Sequence, residues 1–155
     1  MKIRAVAVVL AATTIFATSA AIACATSPQA AFDAFLAAFN TLDWSSFRAC
    51  LADNVSLFNP DIPGAISLRR LDGRIEVERS FRAVFDAAGE GGATPRGPDI
   101  HPEHVSLERF GDVALVTFEF RRSDHSFGRR SLLLVRANND WRITHIHASN
   151  VEVRP

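Results

Sequence analysis

His145 and His147 carry the most reactive potential in this chain. They stand two residues apart in Trp141 to Ala148, a run of alternating character that ends against Ser149. Strand side chains alternate with period two, so Trp141, Ile143, His145, His147 and Ser149 are expected on one face. An imidazole titrates near neutral pH and can act as general acid or base, and a neighbouring hydroxyl can orient a substrate or a water. These are the candidate catalytic residues. The plainer reading is that they hydrogen-bond within the fold or lie at a subunit interface.

Three carboxylates are further acid–base candidates: Asp61, Asp99 and Glu119. Glu119 stands among Val116, Thr117, Phe118 and Phe120, so it can face a cavity. Surface exposure is the commoner fate of all three. Arg130 and Arg136 share a face with Leu132 and Leu134 in the same strand run, and Arg129 shares the other. An arginine at a cavity mouth would favour a carboxylate ligand, although a strand end at the surface is the default. His145-x-His147 and His101-x-x-His104 have metal-ligand spacing. No acidic ligand is placed with them, so neither metal nor cofactor is predicted.

The elements that must position these residues follow from periodicity. Phe32, Phe35, Leu36, Phe39 and Leu42 form one apolar stripe, which predicts a helix over 29–42 with Ser27-Pro28 as its start. Asp43 caps a second helix over 44–52. A short strand covers 55–58, and residues 60–73 read as a loop. A third helix covers 75–88, and a Gly- and Pro-rich linker runs over 89–102. Strands then follow at 103–110, 113–122, 130–136 and 141–148 in a meander. Asn138-Asn139-Asp140 tolerate left-handed backbone and mark the last hairpin. Helices segregated from an antiparallel sheet predict an α+β fold. The sheet curls around the N-terminal helix and leaves a cone-shaped cavity. Phe35, Phe39, Trp44, Phe58, Phe81, Phe118, Glu119, Trp141 and Ser149 are its predicted lining.

The 155 residues carry 17 acids and 17 bases, a balance that suggests no nucleic-acid partner. Residues 1–25 read as a signal peptide: Lys2 and Arg4 precede a small apolar run, and both Ala21-Ile22-Ala23 and Ala23-Cys24-Ala25 satisfy the small-x-small cleavage rule. The domain is then 26–155, mildly acidic and periplasmic or secreted. Cleavage before Cys24 would make it a lipoprotein, but Ala21 stands where a larger aliphatic residue is usual. Cleavage after Ala25 leaves Cys50 alone as an inert buried thiol.

On these elements the chain resembles the SnoaL-like branch of the nuclear transport factor 2-like superfamily. Phe35 to Phe58, Leu71 to Phe85, Pro102 to Phe120 and Arg129 to Ser149 carry the resemblance. It implies a cone-shaped barrel, commonly a homodimer through the sheet, but no single function. The expected function is binding of a small hydrophobic molecule in an apolar cavity, or acid–base chemistry on it, with a non-catalytic sensing or oligomerisation domain as the alternative. Isomerase, cyclase or hydrolase-like chemistry occurs on this fold, as do non-catalytic sensing and oligomerisation domains. The chain has no tyrosine, so the tyrosine donor of the ketosteroid isomerases is missing. The similar kinase-association domains often carry an arginine within this strand, where this chain has Leu132 and Leu133.

Overall fold

The computed structural model describes residues 25–59, 70–89, 97–123 and 125–152. The expected signal peptide, 1–25, lies outside them except for Ala25, as do Cys24 and the candidate acid Asp61. The first helix, α1 (Pro28–Asn40), starts where Ser27 Oγ accepts a hydrogen bond from Ala30 N–H and Pro28 occupies the first turn. Asp43 caps α2 (Trp44–Ala49) by accepting from Ser46 N–H. The second helix is therefore shorter than periodicity suggested, and the chain enters β1 (Leu51–Phe58) earlier. A two-residue strand, β2 (Leu71–Asp72), lies in the stretch read as loop, and α3 (Arg74–Gly89) follows. The last third is β3 (Glu103–Phe110), β4 (Val113–Ser123), β5 (Ser126–Ala137) and β6 (Asp140–Glu152).

These strands form one six-stranded sheet in the order β2-β1-β6-β5-β4-β3. The meander from β3 to β6 is antiparallel as expected. However, β1 joins β6 in parallel, so the sheet is mixed. The helical segment between β1 and the meander lets the chain return to β3 on the far edge, and no hairpin constraint then fixes the sense of β1 against β6. Asn138 and Asn139 have φ of 53° and 60°, the left-handed pair that a tight β5–β6 turn requires.

The helices pack on one face of the sheet. Phe47 of α2 is fully buried at the centre of an aromatic cluster, with ring centroids 5.2 Å from Phe35, 5.7 Å from Phe39, 4.8 Å from Phe81 and 5.1 Å from Phe85. Thus one residue ties all three helices together. Arg74, at the start of α3, fastens that helix to its neighbours: it donates to Glu78 (2.7 Å), Asp53 (2.9 Å), and the carbonyls of Leu51 (3.3 Å) and Arg48 (2.8 Å). Arg74→Ala would remove these bonds, leaving Glu78 only its pair with Arg48 at 3.0 Å, and a loss of about 2 kcal/mol is expected in urea unfolding.

Cys50 is not a lone thiol: it is disulfide-bonded. Cys24 is the only other cysteine of the chain. Ala25 is already part of the fold, since its N–H donates to Asp140 Oδ1 (3.1 Å) and its carbonyl accepts from Trp141 N–H (2.8 Å).

A candidate ligand cavity

A bulge in β6 decides which side chains face the helices. Leu133 pairs with His145, but Leu134 pairs with Ile143, so Thr144 is an extra residue on β6. An inserted residue reverses the alternation beyond it. Trp141 and Ile143 therefore face the helices before the bulge, and Ile146 and Ala148 face them after it. His145, His147 and Ser149 turn to the outer face. This corrects the strict alternation that put all five residues on one side.

On the inner face lies a cavity of about 230 Å³. Phe35, Leu36 and Phe39 of α1 and Phe81 and Val84 of α3 form its helical wall. Leu57 of β1, Phe118 and Phe120 of β4, Leu132 of β5, and Ile146 and Ala148 of β6 form its sheet wall. Pro98 and Ile100 complete the rim. They are held there by Asn40 at the end of α1, whose Nδ2 donates to Ile100 O (2.9 Å) and whose Oδ1 accepts from Ile100 N–H (2.8 Å). The lining is overwhelmingly apolar, with polar groups only from Asn59, Arg122 and Arg130 among the described residues. A dry pocket with a few polar groups is the usual form of a small-molecule site.

Of the predicted lining, Phe35, Phe39, Phe81 and Phe118 are in place. Trp44 is not: it stacks on Phe47 behind the wall, with Arg82 over its ring at 5.4 Å. Trp141 lies in the core nearer the β5–β6 turn, under the Arg109 guanidinium at 5.2 Å. Phe58 and Glu119 are on the outer face because their positions alternate with Leu57 and Phe118. Ser149 sits opposite Arg129 there, and only its backbone carbonyl meets a cavity residue, Arg130.

The outer face gathers the candidate acids and bases. His145 Nδ1 lies 2.8 Å from Ser56 Oγ, and Phe58 covers both histidines, with centroids at 5.7 Å and 5.8 Å. Glu119 accepts from Arg129 (2.9 Å) and lies 3.3 Å from His104. Hydrogen bonds from His104 and then Arg129 hold its carboxyl below the ordinary range, the opposite of a poised base. Asp99 and His101 form an exposed pair at 3.1 Å. Among the described residues, no three metal-ligating side chains converge.

Burial is the main cause that lowers the His145 pKa below 6.5; the charges of Arg70 and His147 add to it, and Asp72 opposes them. A base with a depressed folded pKa favours protonation of the unfolded chain. Stability is therefore expected to fall as pH drops through 6.5, and to level off below the folded value. Thermal unfolding between pH 7.5 and 5 should show this slope, and His145→Gln should flatten it.

The residues that sequence reasoning missed come from short or irregular stretches: Asn59 just past β1, Pro98 and Ile100 in the linker. Ile146 and Ala148 were hidden by the bulge. Arg130 was visible, in phase with Leu132. It pairs with Phe118 on one side and Ala148 on the other, both cavity residues. Gly128, opposite Phe120, makes room for it: a Cβ at Gly128 would stand 2.3 Å from the Phe120 ring. That ring fills the vacant position and carries the Arg130 guanidinium on its face, 4.8 Å from the centroid.

A mixed, curved sheet closed by helices over an apolar cavity defines an α+β cone of the NTF2-like and cystatin-like kind. The chain belongs to the SnoaL-like domain family, whose model matches residues 29–153. Solved structures agree with this fold. A candidate dehydratase of the NTF2-like family from Streptomyces avermitilis is 22% identical over 78% of this chain and 91% of its own, with a TM-score of 0.62. A candidate calcium/calmodulin-dependent protein kinase type II association domain from Thiobacillus denitrificans is 25% identical over 81% and 96%, with a TM-score of 0.61. A candidate ketosteroid isomerase from Parabacteroides distasonis is 15% identical over 83% and 89%, with a TM-score of 0.59. No curated protein matches the chain.

Proposed function

We propose that this domain binds a small hydrophobic molecule in the inner cavity, and that it does so by enclosure rather than by proton transfer. The observation that carries this reading is the composition of the cavity wall. It is mostly Phe, Leu, Ile and Val, and its few polar groups, from Asn59, Arg122 and Arg130, include no carboxylate or imidazole among the described lining residues. The isomerase and cyclase chemistry of the fold needs a pocket base, and His145, His147 and Glu119 are on the other side of the sheet. Relatives that are candidate dehydratases or isomerases therefore share the fold with this chain without lending it their reaction.

The test is calorimetric titration of the disulfide-intact domain with 1-octanol. A Kd of roughly 0.1 mM is expected, which is about −0.6 kcal/mol per non-hydrogen atom. Ala148→Phe, which fills the cavity from the sheet side, should weaken binding by about tenfold or more. No binding to the unmodified domain would sink the proposal.

A second reading, compatible with the first, concerns the outer face. Val113, Leu115, Leu133 and Val135 are half-buried there, and Phe58 and Phe110 are 38% and 62% exposed. A sheet face this apolar supports a homodimer packed sheet to sheet. Leu133→Asp should then convert a dimer into a folded monomer in light scattering. A monomeric unmodified domain would contradict it.

Export into the periplasm or medium is the proposed location. The disulfide at Cys50 supports it, because such bonds persist in oxidising compartments. Cys24 is the other cysteine of the sequence, and a bridge to it would put processing after Ala23 rather than after Ala25. A cysteine held in a disulfide cannot also carry a lipid thioether. Intact mass of the exported protein, before and after reduction, reads both points at once.

A further inference from the structure

An apolar pocket for a neutral molecule has no use for a guanidinium in its wall, yet Arg130 is there. Its backbone sits mid-sheet between Phe118 and Ala148, and its side chain lines the cavity. Burial, with Arg122 beside it, pushes its pKa down to about 10, so it remains charged at neutral pH. Among the described residues it meets no carboxylate. A half-buried cation with no carboxylate among its described neighbours is costly, and proteins rarely keep one without a use for it.

The way Arg130 is held indicates that use. Nη1 donates to two backbone carbonyls, of Arg129 (2.7 Å) and Ser149 (2.8 Å). Phe120 supports the flat face of the group at 4.8 Å. The guanidinium is thus anchored by one nitrogen and one face. Nε and Nη2 have no acceptor among the described residues, and together they form the planar edge that pairs with a carboxylate through two parallel hydrogen bonds. Arg122 also lines the cavity and adds a second positive charge. Its Nη1 donates to the Asn150 side-chain oxygen (3.2 Å) in the amide orientation that satisfies both groups.

We infer that the ligand is an amphipathic acid, with its hydrocarbon body among the phenylalanines and its carboxylate on the free edge of Arg130, with Arg122 alongside. This rests on the cavity reading and makes it more specific. A carboxylate fits better than a phosphate because a single planar edge is offered, and among the described residues no helix N-terminus lies in the lining to meet further oxygens.

The experiment compares octanoate with 1-octanol by calorimetry on the disulfide-intact domain, in the unmodified chain and in Arg130→Met, Arg130→Lys and Arg122→Met. Octanoate should bind about tenfold tighter than octanol. Arg130→Met should erase that preference, bringing octanoate and octanol to within about twofold of each other. Arg130→Lys should retain part of it, since charge survives but the planar edge does not. Arg122→Met should reduce it by a few-fold. If octanol binds and octanoate binds no tighter, the inference fails and the cavity reading stands. If octanoate is preferred but Arg130→Met leaves the preference intact, the assignment to Arg130 is wrong. If neither binds, the cavity reading fails and takes this inference with it.

Discussion

Phe47→Ala is expected to destabilise the domain by about 3–5 kcal/mol, the largest effect of any single truncation proposed here. Phe47 is fully buried and its ring touches aromatic side chains from all three helices. Removing it deletes the transfer energy of a whole phenyl group and leaves a hole that rigid neighbours cannot close. Those neighbours matter for function too. Phe35, Phe39 and Phe81 have one side against Phe47 and the other on the cavity. The vacancy would let them tilt backward, so octanol affinity should fall along with stability. Urea unfolding gives the stability loss. Phe47→Leu, which keeps most of the volume, should recover more than half of it.

Arg130→Met is expected to act in the opposite direction on stability. A guanidinium lowered from its ordinary value to about 10 carries a folding cost on the order of 3 kcal/mol. The sign follows from protonation: the unfolded chain holds this proton more tightly, so the cost is present at every pH below about 10 and is lifted only above it. Two carbonyl hydrogen bonds and the contact with Phe120 recover part of the cost. Methionine would remove the charge and fill much the same space. A net gain of about 1–2 kcal/mol follows, or a rise in Tm of roughly 3–6 °C. A variant that becomes more stable while it loses discrimination between octanoate and octanol would separate the binding role of Arg130 from any structural one. A fall in Tm of similar size would mean that the carbonyl bonds outweigh the buried charge.

Much of the fold was legible in the sequence for local reasons. Apolar stripes at helical spacing, Ser27 and Asp43 as caps, and the left-handed asparagines at 138 and 139 are all short-range signals. The resemblance to SnoaL-like proteins then supplied the arrangement. What local pattern could not reveal was pairing at a distance. The parallel seam between β1 and β6 depends on where the chain returns, and β2 exists only because β1 is there to pair with it. The candidate site suffered most from one residue. Thr144 carries no mark of a bulge, yet it moves both histidines from the expected face to the other. The helix-borne half of the cavity escaped that error, because Phe35, Phe39 and Phe81 follow an unbroken 3.6-residue period. Arg130 escaped it as well, since β5 keeps its alternation from Arg130 to Leu134. An arginine in phase with buried leucines was thus the more dependable signal, although the paired histidines were the more conspicuous one.

If the inner face, and not the histidine face, receives the ligand, intermolecular NOEs between 1-octanol and the methyl-labelled domain will show it. Contacts are expected from the octanol chain to Leu57, Leu132 and Ile146, with Leu115 and Leu133 silent. Contacts confined to Leu115 and Leu133 would place the ligand on the outer face beside His145 and His147, and would refute binding in the inner cavity.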